Sequence, residues 1–111
     1  MPTSLNVDLP RRLPAEVEAV AYFVVAEALT NVAKHAGAGQ AVVTVRLDET
    51  EDILHVSVFD DGRGGAAIAV GDNATGLMGL AERVRAAGGV FDVSSPMTGP
   101  TIVTAVLPCA S

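Results

Sequence analysis

Residues 41–64 read AVVTVRLDETEDILHVSVFDDGRG. Over 40–47, Ala41, Val43, Val45 and Leu47 alternate with Val42, Thr44 and Arg46, the period-two pattern of a half-buried strand. An acidic turn over 48–52 follows, then a second strand over 53–60 with Leu54, Val56 and Val58 on one face. Two such strands joined by so short a turn predict an antiparallel hairpin. The same parity places Asp60 at the end of the apolar row. A carboxylate there is costly to desolvate unless a donor meets it. A ligand amino group could be that donor, or Asp60 could sit in an exposed turn; the strand alone leaves both open.

Working outward, residues 3–9 alternate loosely up to Pro10 and predict an edge strand, and Pro14 suits the first position of a helix. No Gly or Pro interrupts 15–36, where Val17, Val20, Ala21, Val24, Ala28 and Val32 recur at helical spacing. Gly37-Ala38-Gly39 stops that helix. Beyond the hairpin, 61–75 holds four glycines without periodicity and reads as a long loop, of the kind that forms functional lids. Leu77, Leu80, Ala81 and Val84 predict a second helix over 76–87, with Thr75 as N-cap and Gly88-Gly89 as its stop. Strands over 90–95 and 101–107 make a final hairpin. The order β-α-β-β-loop-α-β-β predicts an α+β two-layer sandwich: a mixed, mostly antiparallel sheet covered by helices on one face.

The chain has 111 residues, half of them apolar and 18% charged, which suits one domain with a buried core and excludes a disordered chain. Seven Lys plus Arg against thirteen Asp plus Glu leave a net charge of −6, too few cations to neutralise a row of nucleic-acid phosphates. One Tyr and no Trp also disfavour a base-stacking platform. Any anionic ligand must therefore be held locally. The single Cys109 reads as an idle thiol of the tail and excludes an internal disulfide. No apolar run reaches the ~20 residues that span a bilayer, so a domain of the cytoplasm without membrane contact is expected.

Three segments carry polar groups in an apolar setting. Glu27 and Asn31 are four residues apart on the first helix, and Lys34 and His35 continue the same face. That stripe fits either a solvated helix face or a polar site. Gly62 and Gly64 follow the strand end and allow close approach to the backbone. With Ala67 they also match G-x-G-x-x-A, but Gly71 and Asp72-Asn73 leave no room for the helix a dinucleotide site needs. Gly76-Leu77-Met78-Gly79 opens the second helix, where free N–H groups and the macrodipole favour phosphate; close helix packing is the other reading of those glycines. His55, on the strand face opposite Leu54, and Arg83 and Arg85, on the second helix, read as surface side chains.

In their order these segments resemble the ATP-binding domain of bacterial sensor histidine kinases. Residues 27–36, EALTNVAKHA, look like the N box; 60–64, DDGRG, resemble the G1 box D-x-G-x-G; 76–83, GLMGLAER, resemble the G2 box of the subfamily that works with LuxR-type response regulators. The resemblance covers nearly the whole chain and implies the Bergerat ATP-binding fold, with ATP and Mg²⁺ as cofactors. It implies that Asn31 holds Mg²⁺ and bridges to the phosphates, that Glu27 is the base or polarising group for the nucleophile, and that Lys34 and His35 contact phosphates. Asp60 would accept a hydrogen bond from the adenine amino group, Gly62 and Gly64 would let the base approach, and 61–75 would be the lid. Gly76, Leu77 and Gly79 would bind phosphate, and Thr101 would lie near the adenine.

Two departures stand out. No helix with a phosphoacceptor His precedes the N box, so the resemblance implies an excised domain, monomeric by itself, whose partners are the dimerisation and phosphoacceptor helices of a parent kinase and, through them, a response regulator. Pro100 also stands where a small residue usually precedes the final Thr. The expected reaction is transfer of the γ-phosphoryl group of ATP to that His. An anti-sigma-factor serine kinase of the same superfamily and an ATP-binding module without turnover are the alternatives.

Overall fold

The computed structural model describes residues 3–35, 40–61, 72–94 and 100–109, without the side chains of 31–35 and 72–78. The elements are β1 (Thr3–Asp8), α1 (Ala15–His35), β2 (Ala41–Asp48), β3 (Ile53–Asp60), α2 (Asp72–Ala86), β4 (Val90–Ser94) and β5 (Thr101–Pro108). They form a five-stranded sheet in the order β1-β2-β3-β5-β4. β1 runs parallel to β2 across the α1 crossover, and the remaining neighbours are antiparallel. The fold is the expected α+β sandwich.

The alternation in 41–60 sets the register. Val43 faces Val58, Leu47 faces Leu54, and across β3 Leu54 faces Leu107 and Val58 faces Val103. These side chains and Val56 and Ala105 point to the face that α1 and α2 cover, and all are buried. From above, α1 contributes Val17, Ala21, Val24 and Ala28, and α2 contributes Leu80 and Val84. Each fully buried Val or Leu stabilises the fold by roughly 1.5–3 kcal/mol relative to exposure. β1 and β4 form the edges; Leu5, Val7 and Val90 there remain largely exposed.

The helix ends have identifiable caps. The Pro14 carbonyl accepts from Val17 and Glu18 N–H at 3.0 and 3.1 Å, so Pro14 is the residue before the first turn rather than its first member. Glu18 folds back to accept from Leu13 N–H and from both Nε and Nη2 of Arg12. The Arg12 guanidinium, with that backbone donor, holds the Glu18 carboxyl below its ordinary range. At the end of α2, Gly88 N–H donates to Arg85 O and Gly89 N–H to Val84 O, the paired bonds of a Schellman motif. Gly88 takes φ +82°, and a Cβ on Gly89 would lie 2.3 Å from the Val106 carbonyl oxygen, so both positions require glycine.

Two expectations are corrected. The second helix opens at Asp72, not Gly76, so 72–75 are helical and Thr75 lies inside the helix rather than capping it. Asp72-Asn73 reads as a turn in sequence, but Asp and Asn are equally strong helix starts. Cys109 is no idle tail thiol: it is 4% exposed within the core cluster, its N–H donates to Asp52 O, and burial pushes its thiol pKa up. The rest of the 61–75 segment, except Asp61, lies outside the described residues.

Candidate functional site

Both helices bring their polar segments to one end of the sheet. The first half of α1 packs over Val45 and Leu54, where Leu13, Ala21 and Val25 line a groove with them. Its later turns, from Glu27 on, therefore extend toward the Asp60 end of β3. α2 runs the opposite way: Gly89, just past its end, abuts Val106 and Leu107, so its first turns face Thr101. The N-box part of α1, the start of α2 and the end of the central hairpin thus surround one corner.

At that corner Asp60 lies between Ala41 on β2 and Thr101 on β5, directly opposite each in the register. Asp60 is 4% and Thr101 3% exposed, and they are the buried polar residues among those described. Strand parity therefore puts Asp60 on the covered face, as the sequence predicts, and the register brings Thr101 beside it. Pro100 does not displace Thr101 from the strand. The neighbouring Ala41 is fully buried. Asp61 closes the hairpin instead: its Oδ1 accepts from Gln40 N–H at 3.0 Å, and its own N–H donates to Gln40 O.

A cleft of about 340 Å³ separates α1 from α2, lined by Phe23, Ala26, Glu27 and Thr30 on one side and Gly79, Leu80 and Arg83 on the other. Glu27 is half-buried. Thr30 Oγ1 donates to Ala26 O at 2.8 Å. A Cβ built on Gly79 meets nothing within 4 Å. Close packing therefore does not account for this glycine; it leaves an open notch facing Glu27. The first four N–H groups of a helix lack intrahelical acceptors, and in α2 these belong to 72–75, so Gly76 and Gly79 lie past them. That corrects the reading of their amides as the opening of the helix.

Asn31, Lys34 and His35 follow Glu27 along α1, but their side chains lie outside the described residues, as do Gly62 and Gly64; Gly76 and Leu77 are placed on α2 by the backbone alone. The sequence reading missed Phe23 and Arg83. The Arg83 guanidinium carbon stands 4.3 Å from the Phe23 ring centroid, a cation–π contact across the cleft. Spacing puts Phe23 one turn before Glu27 and Arg83 one turn after Gly79, but says nothing of their meeting across the cleft. His55 stays on the outer face of the sheet, opposite Arg46 and Val106. Among the described residues no three His, Cys, Asp or Glu side chains converge on a metal site, and no helix is long and apolar enough to cross a membrane.

Comparison with known proteins gives a consistent result. The profile of the family described as histidine kinase-, DNA gyrase B- and HSP90-like ATPase matches residues 16–111. The sensor histidine kinase YdfH of Bacillus subtilis is 33% identical over 90 residues, covering 78% of this chain and 22% of that relative. The histidine kinase domain of the Erythrobacter litoralis EL346 blue-light activated histidine kinase superposes with a TM-score of 0.67 at 28% identity, over 96% of this chain and 55% of that one. Full-length ShkA in complex with AMPPNP shares the fold, with a TM-score of 0.79 at 19% identity over 99% of this chain and 26% of that one. This chain thus spans about a fifth of the length of curated relatives such as YdfH.

Proposed function

This chain belongs to the histidine kinase-, DNA gyrase B- and HSP90-like ATPase family, and on that premise we propose that it binds ATP with Mg²⁺ and transfers the γ-phosphoryl group to a histidine on the dimerisation segment of a sensor kinase. That histidine then supplies a response regulator; the likeness to the sensor histidine kinase YdfH supports the kinase reading, and the 76–83 segment favours the LuxR-type pairing. The observation that carries the reading is the buried Asp60–Thr101 pair at the corner where the N-box turns of α1 and the start of α2 meet. An adenine amino group entering there would donate to the buried Asp60 carboxylate, an acceptor with lone pairs for more than one hydrogen bond.

The residues divide the work by position. Asp60 and Thr101 hold the base; Glu27 lies toward the open cleft, where the transferred group and the incoming imidazole would meet. The imidazole nitrogen attacks the γ-phosphorus, the bond from phosphorus to the ADP oxygen breaks, ADP leaves, and Glu27 accepts the imidazole proton. Phosphoryl transfer demands mostly positioning and charge stabilisation, which suits a site with few cations. Asn31 would hold Mg²⁺ together with the phosphate oxygens, Lys34 and His35 would contact the phosphates, and the ion would neutralise phosphate charge when bound. A neutral amide fits an ion that takes most of its ligands from phosphate and water.

The test is reconstitution. The domain is mixed with a separately expressed helical segment bearing the phosphoacceptor His from a kinase of this type, and radiolabel is followed from γ-labelled ATP. Label on the segment, abolished by Glu27→Gln with ATP binding retained, is the expected outcome. Failure of the unaltered domain to bind ATP would overturn the reading.

A further inference from the structure

We propose that Arg83, stacked on Phe23 across the cleft from Glu27, binds the terminal phosphates of the nucleotide, with the Phe23 ring as its positioning platform. The inference rests on the ATP-binding reading above and adds a residue to it.

The charge inventory points to Arg83. A domain of net charge −6 must hold a tetra-anion, and it has seven Lys and Arg to draw on. Arg11 is paired with Asp52 and Arg12 with Glu18, both at the far end of α1. Arg46 sits across from His55 on the outer sheet face. Among the described side chains, Arg83 is the cation that lines the cleft holding Glu27 and Gly79.

Geometry supplies the second argument. The open notch at Gly79 lies one turn from Arg83 on the same helix face, and Glu27 lies opposite. A ligand passing over Gly79 would meet the guanidinium on one wall and the carboxylate on the other. Unlike ammonium, guanidinium keeps its plane free to stack while its edge donates hydrogen bonds. The Phe23 ring face at 4.3 Å therefore fixes the plane without consuming a donor. An arginine so held loses less freedom on meeting phosphate, which raises affinity.

A packing role alone predicts something different. If Arg83 only ties α2 to α1, its removal weakens adenosine, ADP and ATP alike. If it binds terminal phosphates, the loss grows with the phosphate chain. Affinities of the three ligands are measured by calorimetry for the unaltered chain, Arg83→Ala, Arg83→Lys, Phe23→Leu and the Arg83→Ala/Phe23→Leu pair, with folding checked by circular dichroism. Arg83→Ala is expected to weaken ATP by about tenfold to a hundredfold while adenosine binding is unchanged. Arg83→Lys recovers part of the loss, and Phe23→Leu weakens ATP but adds nothing on top of Arg83→Ala. Should Arg83→Ala not fold, Arg83→Gln keeps the stem and tests the charge. Equal losses for adenosine and ATP, or no loss for ATP, overturn the proposal and leave ATP binding standing. An unaltered chain that binds none of the three overturns the underlying reading as well.

Discussion

In the proposed function, Asp60 is the residue on which nucleotide identity would turn. It is buried, opposite Thr101 and Ala41 in the register. Adenine presents an amino donor at the position where guanine presents a carbonyl oxygen, so a desolvated carboxylate favours the first and repels the second. Asp60→Asn is expected to weaken ATP by about tenfold to a hundredfold, the cost of one hydrogen bond to a charged group. Calorimetry with ATP and GTP checks it, and equal affinity of the unaltered domain for the two nucleotides would reject the adenine assignment. Period two made the burial of Asp60 legible in the sequence, because parity needs no knowledge of neighbours. The Phe23–Arg83 contact was not legible: it depends on how two helices distant in the chain come to face each other, and spacing along either helix carries no such information.

At the scale of elements, α2 sets stability against function. Gly79 sits mid-helix with open space where a Cβ would go. Glycine there costs about 0.5–1 kcal/mol relative to alanine. Gly79→Ala should therefore raise the unfolding free energy by about that amount, and at the same time weaken ATP by narrowing the notch. Urea titration and calorimetry on the same preparation read the two effects; a stabilised variant with undiminished ATP affinity would remove Gly79 from the site. Gly89→Ala should do the opposite to stability, losing about 1–3 kcal/mol through the clash with Val106 O. The start of α1 carries a pH dependence. Glu18 has its pKa lowered by Arg12, then by Leu13 N–H, so its contribution is present above the ordinary value of 4.5 and is lost as pH falls through the lowered folded value. Glu18→Gln should be slightly less stable near neutrality, and the gap should close in acid; solvent screening keeps it small. The start of α2 escaped the sequence reading because Asp72-Asn73 signals a turn and a helix start with equal strength. Cys109 escaped it because its burial comes from pairing with the Asp52 backbone, far away in sequence.

For the whole molecule, the order of elements sufficed for the architecture: two hairpins and a crossover helix leave few ways to cover one face of a mixed sheet. The same order places the site at a corner built from α1, α2, β3 and β5, so a nucleotide bound there must bridge elements that otherwise meet mainly through the core. Ligand binding should then be visible as stability of the entire domain. At a hundred times its dissociation constant, ATP with Mg²⁺ should add about 2.7 kcal/mol, raising the unfolding midpoint of a domain this size by roughly 10 °C. With net charge −6, the protein repels a tetra-anion unless positive charge is supplied locally. Chelating the metal should therefore shrink the ATP shift while leaving the adenosine shift unchanged. Thermal scans at fixed ligand concentration, with and without EDTA, separate the two. An ATP shift indifferent to the chelator would mean that side chains and backbone amides alone neutralise the phosphates, and would leave Asn31 without its metal.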